Sequence, residues 1–279
     1  MRGVNDRDLT SLVDLHNHLV PGVDDGARDL PAVLESVERM ARAGIRKIVA
    51  TPHIRAGLTL DPPGLRHRLD EVQRAWEQAA EAIGRAFPEI EYRQGHEVML
   101  DVPDPTFSDP RIRMAGTDFV LVEWPRMHIP PATTRVLENI VAAGYRPIVA
   151  HPERYAGMGE ATELVGSWRQ AGAALQVNYG SFVGRYGSDA RTNAFRLLRR
   201  GWADYLSTDF HGRSNLKLYK DEAWAVLEEL GAREALTTLC VTNPERLLRN
   251  EAPLPVQPLP AERGIWSRIK DAMRSEGAS

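Results

Sequence analysis

The chain has 279 residues, a single cysteine and a formal net charge of −3, from 35 lysines and arginines against 38 aspartates and glutamates. That length suits one large α/β domain, the lone cysteine excludes an internal disulfide and a thiolate-rich zinc site, and near-balanced mixed charge argues against a dedicated nucleic-acid surface. No apolar run reaches the length of a membrane span and the stretch 1–11 is polar without a signal-peptide core, so a cytoplasmic enzyme is expected.

The first strand-like run reads Val13-Asp14-Leu15-His16-Asn17-His18. Side chains alternate faces along a strand, so Asp14, His16 and His18 point one way. The loop Val23-Asp24-Asp25-Gly26 follows. Asp-Gly is a turn signal, and Asp25, with Asp24 as its substitute, is a candidate ligand. Asp29 and Pro31 open a helix whose apolar face is Val33, Val37, Met40 and Ala41, and Gly44 ends it. A strand over 45–50 runs on to Thr51-Pro52-His53. The spacing of Leu65, Leu69, Val72, Trp76, Ala79 and Ile83 predicts a helix over 64–84. A strand over 90–97 then delivers Glu97, and a strand over 118–123 ends in Glu123. A helix over 132–143 stops at Gly144, and the strand 146–150 ends at His151. A helix over 160–171 stops at Gly172, before a strand over 174–177. A helix over 190–200 stops at Gly201, and the strand 203–207 leads into Thr208-Asp209-Phe210-His211. Two further helices close the domain.

The repeated helix–glycine–strand unit gives seven short apolar strands, as expected of parallel strands buried on both faces. Alternation of this kind means a closed barrel or an open sheet. Six strands end in a metal-capable residue, and only a closed barrel brings those tips together. After Asn250 the composition changes: 251–264 holds Pro253, Pro255, Pro258 and Pro260 and suits an extended linker or strap. Ile265, Trp266, Ile269 and Met273 then fall on one side of a short amphipathic helix, expected to dock on its own barrel rather than on a partner or membrane.

The chemistry lies at the strand ends. His16, His18, Asp25, His53, Glu97, Glu123, His151, Asp209 and His211 mix imidazole and carboxylate with no thiolate, which favours manganese, iron or zinc. Nine ligands exceed one ion and fit two or three. Three divalent ions bring +6 against −4 from Asp25, Glu97, Glu123 and Asp209, and Arg154 stands three residues beyond His151, so a phosphate dianion suits the pocket. Among the other histidines, His67 reads as solvated and His96 as facing away, while His128 edges the site without binding metal. Cys240 and Arg246 match a Cys-x5-Arg spacing, but the stretch has no glycine to cradle phosphate and carries Pro244, so a buried structural cysteine is expected.

These segments, Asp14-Leu15-His16-Asn17-His18, Asp24-Asp25-Gly26, Thr51-Pro52-His53, Gly95-His96-Glu97, His151-Pro152-Glu153-Arg154-Tyr155, Thr208-Asp209-Phe210-His211 and Thr242-Asn243-Pro244-Glu245-Arg246, resemble the PHP (polymerase and histidinol phosphatase) superfamily. More closely, they resemble its bacterial manganese-dependent tyrosine-protein phosphatases of capsule and exopolysaccharide operons. The resemblance covers about 12–250. It implies a distorted seven-stranded (β/α) TIM-like barrel over 1–251, with 252–279 as a separate tail. It also implies a trinuclear site: His16, His18, Glu97 and Asp209 for one ion, Glu97, Glu123 and His151 for a second, and Asp25, His53 and His211 for a third. Arg154 would bind phosphate, helped by Arg213 or Lys217. Apart from the resemblance, the place of His128 at the edge of the site makes it a candidate to assist the leaving group, although a phenolate depends little on such help. The substrate implied is a phosphotyrosine protein, the C-terminal tail of a bacterial tyrosine kinase, cut by a cytoplasmic enzyme that can be a homo-oligomer. The rival readings are another phosphoesterase of this barrel, such as histidinol-phosphate phosphatase, a non-catalytic kinase-binding scaffold, and an amidohydrolase-type deacetylase. The last lacks a strand-end lysine to bridge two metals.

Overall fold

The strands over 45–50 and 146–150 each begin where a helix has just been stopped by a backbone that few side chains tolerate. Gly44 and Gly144 adopt φ of 85° and 91°, a region open to glycine because it has no Cβ. The computed structural model describes residues 11–259; the start 1–10 and the segment bearing Ile265, Trp266, Ile269 and Met273 lie outside them.

The strands are β1 (Leu12–Asp14), β2 (Ile45–Ala50), β3 (His53–Arg55), β4 (Glu91–Gln94), β5 (Glu97–Met99), β6 (Phe119–Glu123), β7 (Arg146–Ala150), β8 (Ala174–Asn178) and β9 (Tyr205–Ser207). All pairings are parallel, in two sheets ordered β1-β2-β4 and β3-β5-β6-β7-β8-β9. The expected single strand over 90–97 is therefore two short strands, interrupted at Gly95-His96. The preceding run breaks likewise at Thr51-Pro52, where proline has no N–H to give the ladder. Gly95 N donates to Ala50 O at 2.8 Å and Glu97 N to Pro52 O at 3.2 Å, which carries the pairing across the break.

The first and last strands also meet. His18 N donates to Phe210 O at 2.9 Å, Asp209 N to His16 O at 2.8 Å, and Asn17 and Phe210 form a parallel bridge. Asp14 staples the seam by accepting from Thr208 N at 2.7 Å and Thr208 Oγ1 at 3.0 Å. It is thus a seam residue, separate in role from His16 and His18.

Alternation fixes which face each side chain takes. Phe119 and Leu121 of β6, Ile148 and Ala150 of β7, Ala174 of β8 and Tyr205 of β9 form an inner cluster with Val13, Leu15 and Val49. Val120, Val122, Val149, Leu175 and Val177 face the helices. The same alternation puts Glu123 in the row of Phe119 and Leu121.

The helices are α1 (Leu30–Arg42), α2 (Pro62–Ala86), α3 (Thr133–Ala142), α4 (Thr162–Gln170), α5 (Tyr179–Phe182), α6 (Ser188–Arg199), α7 (Lys220–Glu229), α8 (Arg233–Thr237) and α9 (Asn243–Leu248). Asp29 caps α1 by accepting from Ala32 N at 2.9 Å, and Val33, Val37 and Met40 are buried, as the spacing predicts. The single turn α5 was not foreseen. Neither was the π-helical segment Thr238–Thr242, which joins α8 to α9 and holds Cys240. Beyond Asn250 the described part of the proline-rich segment packs along the body: Val256 and Leu259 are buried, Leu254 N donates to the side-chain Oδ1 of Asn243 at 2.7 Å, and Asn243 Nδ2 donates to Leu254 O at 3.0 Å. Among the described residues no helix is long and apolar enough to cross a membrane.

Candidate metal centre

Glu97, at the start of β5 and fully buried, is the hub. Its Oε2 lies 3.1 Å from His16 Nε2, 3.3 Å from His18 Nε2 and 3.2 Å from His53 Nδ1, while Oε1 lies 2.9 Å from His151 Nε2. Asp209 Oδ1 approaches His16 Nε2 at 3.6 Å, His18 Nε2 at 3.4 Å and His211 Nδ1 at 3.7 Å. Asp25 reaches His53 Nε2 at 3.6 Å and His211 Nε2 at 3.5 Å, and Glu123 reaches His53 Nδ1 at 3.4 Å. Four overlapping groups have ligand atoms within 4.8 Å of one another: His18, Asp25, His53 and His211; His16, His151 and Asp209; His16, His18 and Glu97; His53, Glu97 and Glu123. Their union is the set of nine residues singled out in the sequence. The groups share His16, His18, His53 and Glu97, so the division among ions is looser than the three sets drawn from the resemblance.

The donor set and its unmet polar atoms fit cations. His16 Nε2, His18 Nε2 and Glu97 Oε2 are buried and form no hydrogen bond although they face one another; such atoms are costly unless something charged meets them. His16 Nδ1 pairs with Gln176 Oε1 at 2.8 Å and His18 Nδ1 with Asp24 Oδ2 at 2.8 Å, which turns each Nε2 lone pair inward. Asp24 Oδ2 also accepts from His53 N at 3.1 Å. Asp24 therefore orients His18 and His53 from behind, while Asp25 is the carboxylate of the pair that lies within reach of the His53 and His211 ring nitrogens. Gly26 permits this loop: a Cβ there would stand 2.1 Å from His18 O.

The electrostatics demand positive charge. Burial opposes charging of His16, yet Glu97 and Asp209 lift its pKa to about 9. Asp209, Asp24 and Glu97 raise His18 against the same burial penalty, and Glu123 with Glu97 raises His53. Conversely, burial would raise Asp209 and Glu97, but the surrounding histidines hold both carboxyls well below the usual range. His151 and Asp209 adopt φ of 35° and 50°, left-handed backbone that strains non-glycine residues and clusters at functional sites.

Arg154 follows in the turn after β7. Its Nη1 donates to Asp209 Oδ2 at 2.5 Å, and its guanidinium lies 4.2 Å from the Tyr186 ring centre. Arg213 and Lys217 line a cavity of about 220 Å³ with Arg154, Asp209 and His211. Arg213 donates to Asp25 O at 2.7 Å, and Lys217 is 3.3 Å from Glu222. His128 is exposed, pairs with Arg126 O at 2.8 Å and lines a neighbouring cavity of about 640 Å³ that also touches Arg154. It belongs to none of the four groups. His96 faces away as expected, held by Arg111 O at 2.9 Å and pushed down to about 4 by burial. Cys240 is buried, with its thiol pushed up to about 12 by burial and Tyr179 Oη donating to Sγ at 3.2 Å.

Three residues of the site went unread in the sequence. Gln176 Nε2 donates to Asn178 Oδ1 at 2.9 Å, and Asn178 Nδ2 donates to Asp209 Oδ2 at 2.9 Å. Their signal was present: two amides at i and i+2 on one face of a buried strand have no reason to be there unless something polar meets them. Tyr186 had no such signal.

The family model described as capsular polysaccharide synthesis, CpsB/CapC, matches residues 12–249. The chain belongs to the CpsB/CapC family. It is 28% identical over 254 residues to the tyrosine-protein phosphatase YwqE of Bacillus subtilis, covering 90% of this chain and 97% of the relative. It is 25% identical over 250 residues to the tyrosine-protein phosphatase CpsB of Streptococcus pneumoniae, covering 86% and 99%. A solved CpsB/CapC structure, from work on YwqE and CpsB as unique metal-dependent tyrosine phosphatases, superposes with a TM-score of 0.74 at 27% identity, covering 90% of this chain and all of that one. The resemblance read in the sequence to capsule-operon tyrosine phosphatases is borne out.

Proposed function

We propose that this chain is a metal-dependent protein-tyrosine phosphatase. The observation that carries the reading is the convergence of nine imidazole and carboxylate ligands on one site, buried at Glu97, His16 and His18 and open at Asp25, with Arg154 beside them. YwqE and CpsB, its similar relatives, bear the same activity in their names. The parallel strands, joined from β1 to β9 through Asn17 and Phe210, support a distorted seven-stranded barrel in which the runs 45–55 and 91–99 each count as one interrupted strand.

His16, His18, Glu97 and Asp209 would hold one ion, Glu97, Glu123 and His151 a second, and Asp25, His53 and His211 a third, manganese being the expected metal and iron or zinc the alternatives. When bound, such ions supply Lewis acidity that neutralises phosphoryl charge and generates a nucleophile from water. Arg154 then binds the phosphoryl oxygens through the N–H groups that Asp209 leaves free, with Arg213 and Lys217 adding charge at the mouth. A phenolate, whose acid has a pKa of about 10, departs without the strong proton donor an alkoxide needs. His128, exposed and away from the ligand groups, fits an edge role better than an essential acid. The substrate proposed is the tyrosine-bearing C-terminal tail of a bacterial tyrosine kinase in the cytoplasm.

Turnover of a phosphotyrosine peptide, histidinol phosphate and single-stranded DNA by metal-loaded protein tests this. The peptide is expected to be the best substrate, and Cys240→Ser to retain full activity. Preference for either other substrate, or loss of turnover in Cys240→Ser, overturns the reading.

A further inference from the structure

Of the cavities beside the ligand cluster, one opens at His53 and Glu123, and two others meet at Arg154 and Tyr186. The smaller, about 220 Å³, is bounded by Asp25, Asp209 and His211 together with Arg154, Arg185 and Arg213. The larger, about 640 Å³, runs from Arg154 past Arg126, His128, Glu160 and Arg196. Arg154 and Tyr186 line both. Tyr186 is thus the partition between a strongly cationic chamber over the ligands and a groove of mixed charge.

The partition is built. Gly184 and Gly187, at φ of 78° and 94°, bracket Arg185-Tyr186 in a tight turn. Gly180 leaves the space the ring fills, since a Cβ there would come within 3.1 Å of Tyr186 Cε2. The Arg154 guanidinium lies over the ring at 4.2 Å and that of Arg185 at 5.9 Å. The Asn178 side chain hydrogen-bonds the Tyr186 hydroxyl. The ring therefore holds the plane of the arginine that bonds Asp209, and also presents an aromatic edge to both cavities.

Depth makes that edge selective. His16, His18 and Glu97 are fully buried, whereas Tyr186 is half-buried at the rim. A phosphoryl group entering from the groove through the smaller cavity passes Tyr186 on its way to Asp209 and His211. A serine phosphate would bring its backbone against the partition, while a tyrosine ring spans the distance and meets an aromatic surface on the way.

We propose that Tyr186 is the specificity-determining residue of the centre: it packs against the ring of a phosphotyrosine whose phosphoryl group enters the smaller cavity and whose flanking polypeptide lies in the larger. The inference rests on the phosphatase reading above. The mixed charge of the groove, with Arg126 and Arg196 against Glu160 and Asp189, suits a polypeptide.

The test measures kcat and KM of the full, metal-loaded chain on a phosphotyrosine peptide, p-nitrophenyl phosphate and a phosphoserine peptide with the same flanks. Wild type, Tyr186→Phe, Tyr186→Leu and Tyr186→Gln are compared, with metal content determined alongside. Leu and Gln are expected to lower the aryl-over-alkyl ratio of kcat/KM by about tenfold, chiefly through KM for the aryl substrates, while Phe keeps the ratio within about twofold. An unchanged ratio in Leu and Gln, or an equal loss on all three substrates with lost metal, overturns the role. If wild type turns over no phosphate ester, the phosphatase reading falls and takes this role with it. If wild type is active and the ratio resists substitution, the role of Tyr186 alone falls.

Discussion

At the scale of single residues, the centre works because each imidazole is aimed from behind. Asp24 occupies His18 Nδ1 and His53 N at once, so one carboxylate sets the direction of two ligands. Removing such a partner typically weakens metal binding by about 10–100-fold. Asp24→Ala is therefore expected to lower manganese affinity by that factor in a competition titration with a chromogenic chelator. Unchanged affinity would show that the loop backbone alone orients His18. The ligands themselves were legible because metal-capable residues recur at the ends of apolar runs. Gln176 and Asn178 announced only that something polar would meet them, not which titratable group, because their partners His16 and Asp209 lie 160 and 31 residues away; the Tyr186 phenol carried no sign at all.

At the scale of elements, the seam between β1 and β9 decides whether the ligand-bearing ends stay together. Asp14 is fully buried there, and burial lifts its pKa to about 6 in spite of the hydrogen bonds from Thr208 and Asn17. Its folded pKa lies above the unfolded value of 3.8, so the stability its protonation lends is complete below 3.8 and is lost as pH rises through about 6. Thr208 Oγ1 matters most once the carboxylate is charged. Thr208→Val is expected to cost about 1–3 kcal/mol, with a larger fall in Tm at pH 7.5 than at pH 4.5. Equal losses at both pH values would mean the hydroxyl does nothing particular for the charged form. The longer helices are legible in the sequence to within a few residues, because amphipathic spacing and helix-ending glycines are local signals. β4 and β5 read as one strand in the sequence, because the interruption at Gly95-His96 reflects how neighbouring strands pair, which only tertiary contact decides.

For the whole molecule, protons and metal compete for the same interior. His16 titrates near pH 9 in the fold against 6.5 when free, so the stability it lends the metal-free protein is complete below pH 6.5 and is lost as pH rises through about 9. That loss is on the order of 3 kcal/mol at full deprotonation. Metal-free protein is expected to melt progressively lower between pH 6.5 and 9, while the gap to manganese-loaded protein widens. A gap that narrows with pH would mean that cations do not replace protons at these histidines. The parallel α/β architecture was legible as a whole, because alternation of elements and convergence of ligands are global patterns that no single motif has to carry. The packing of Val256 and Leu259 along the body was only partly so, since a proline-rich stretch announces extension but not the surface it follows.

Metal content, determined by inductively coupled plasma mass spectrometry on wild type and His151→Ala after saturation and desalting, tests the central claim most directly. Two or three manganese ions per chain are expected in the wild type, with a clear loss of metal and no phosphotyrosine turnover in His151→Ala. A wild type that retains no more than one ion, or a His151→Ala protein with undiminished metal and activity, would contradict it.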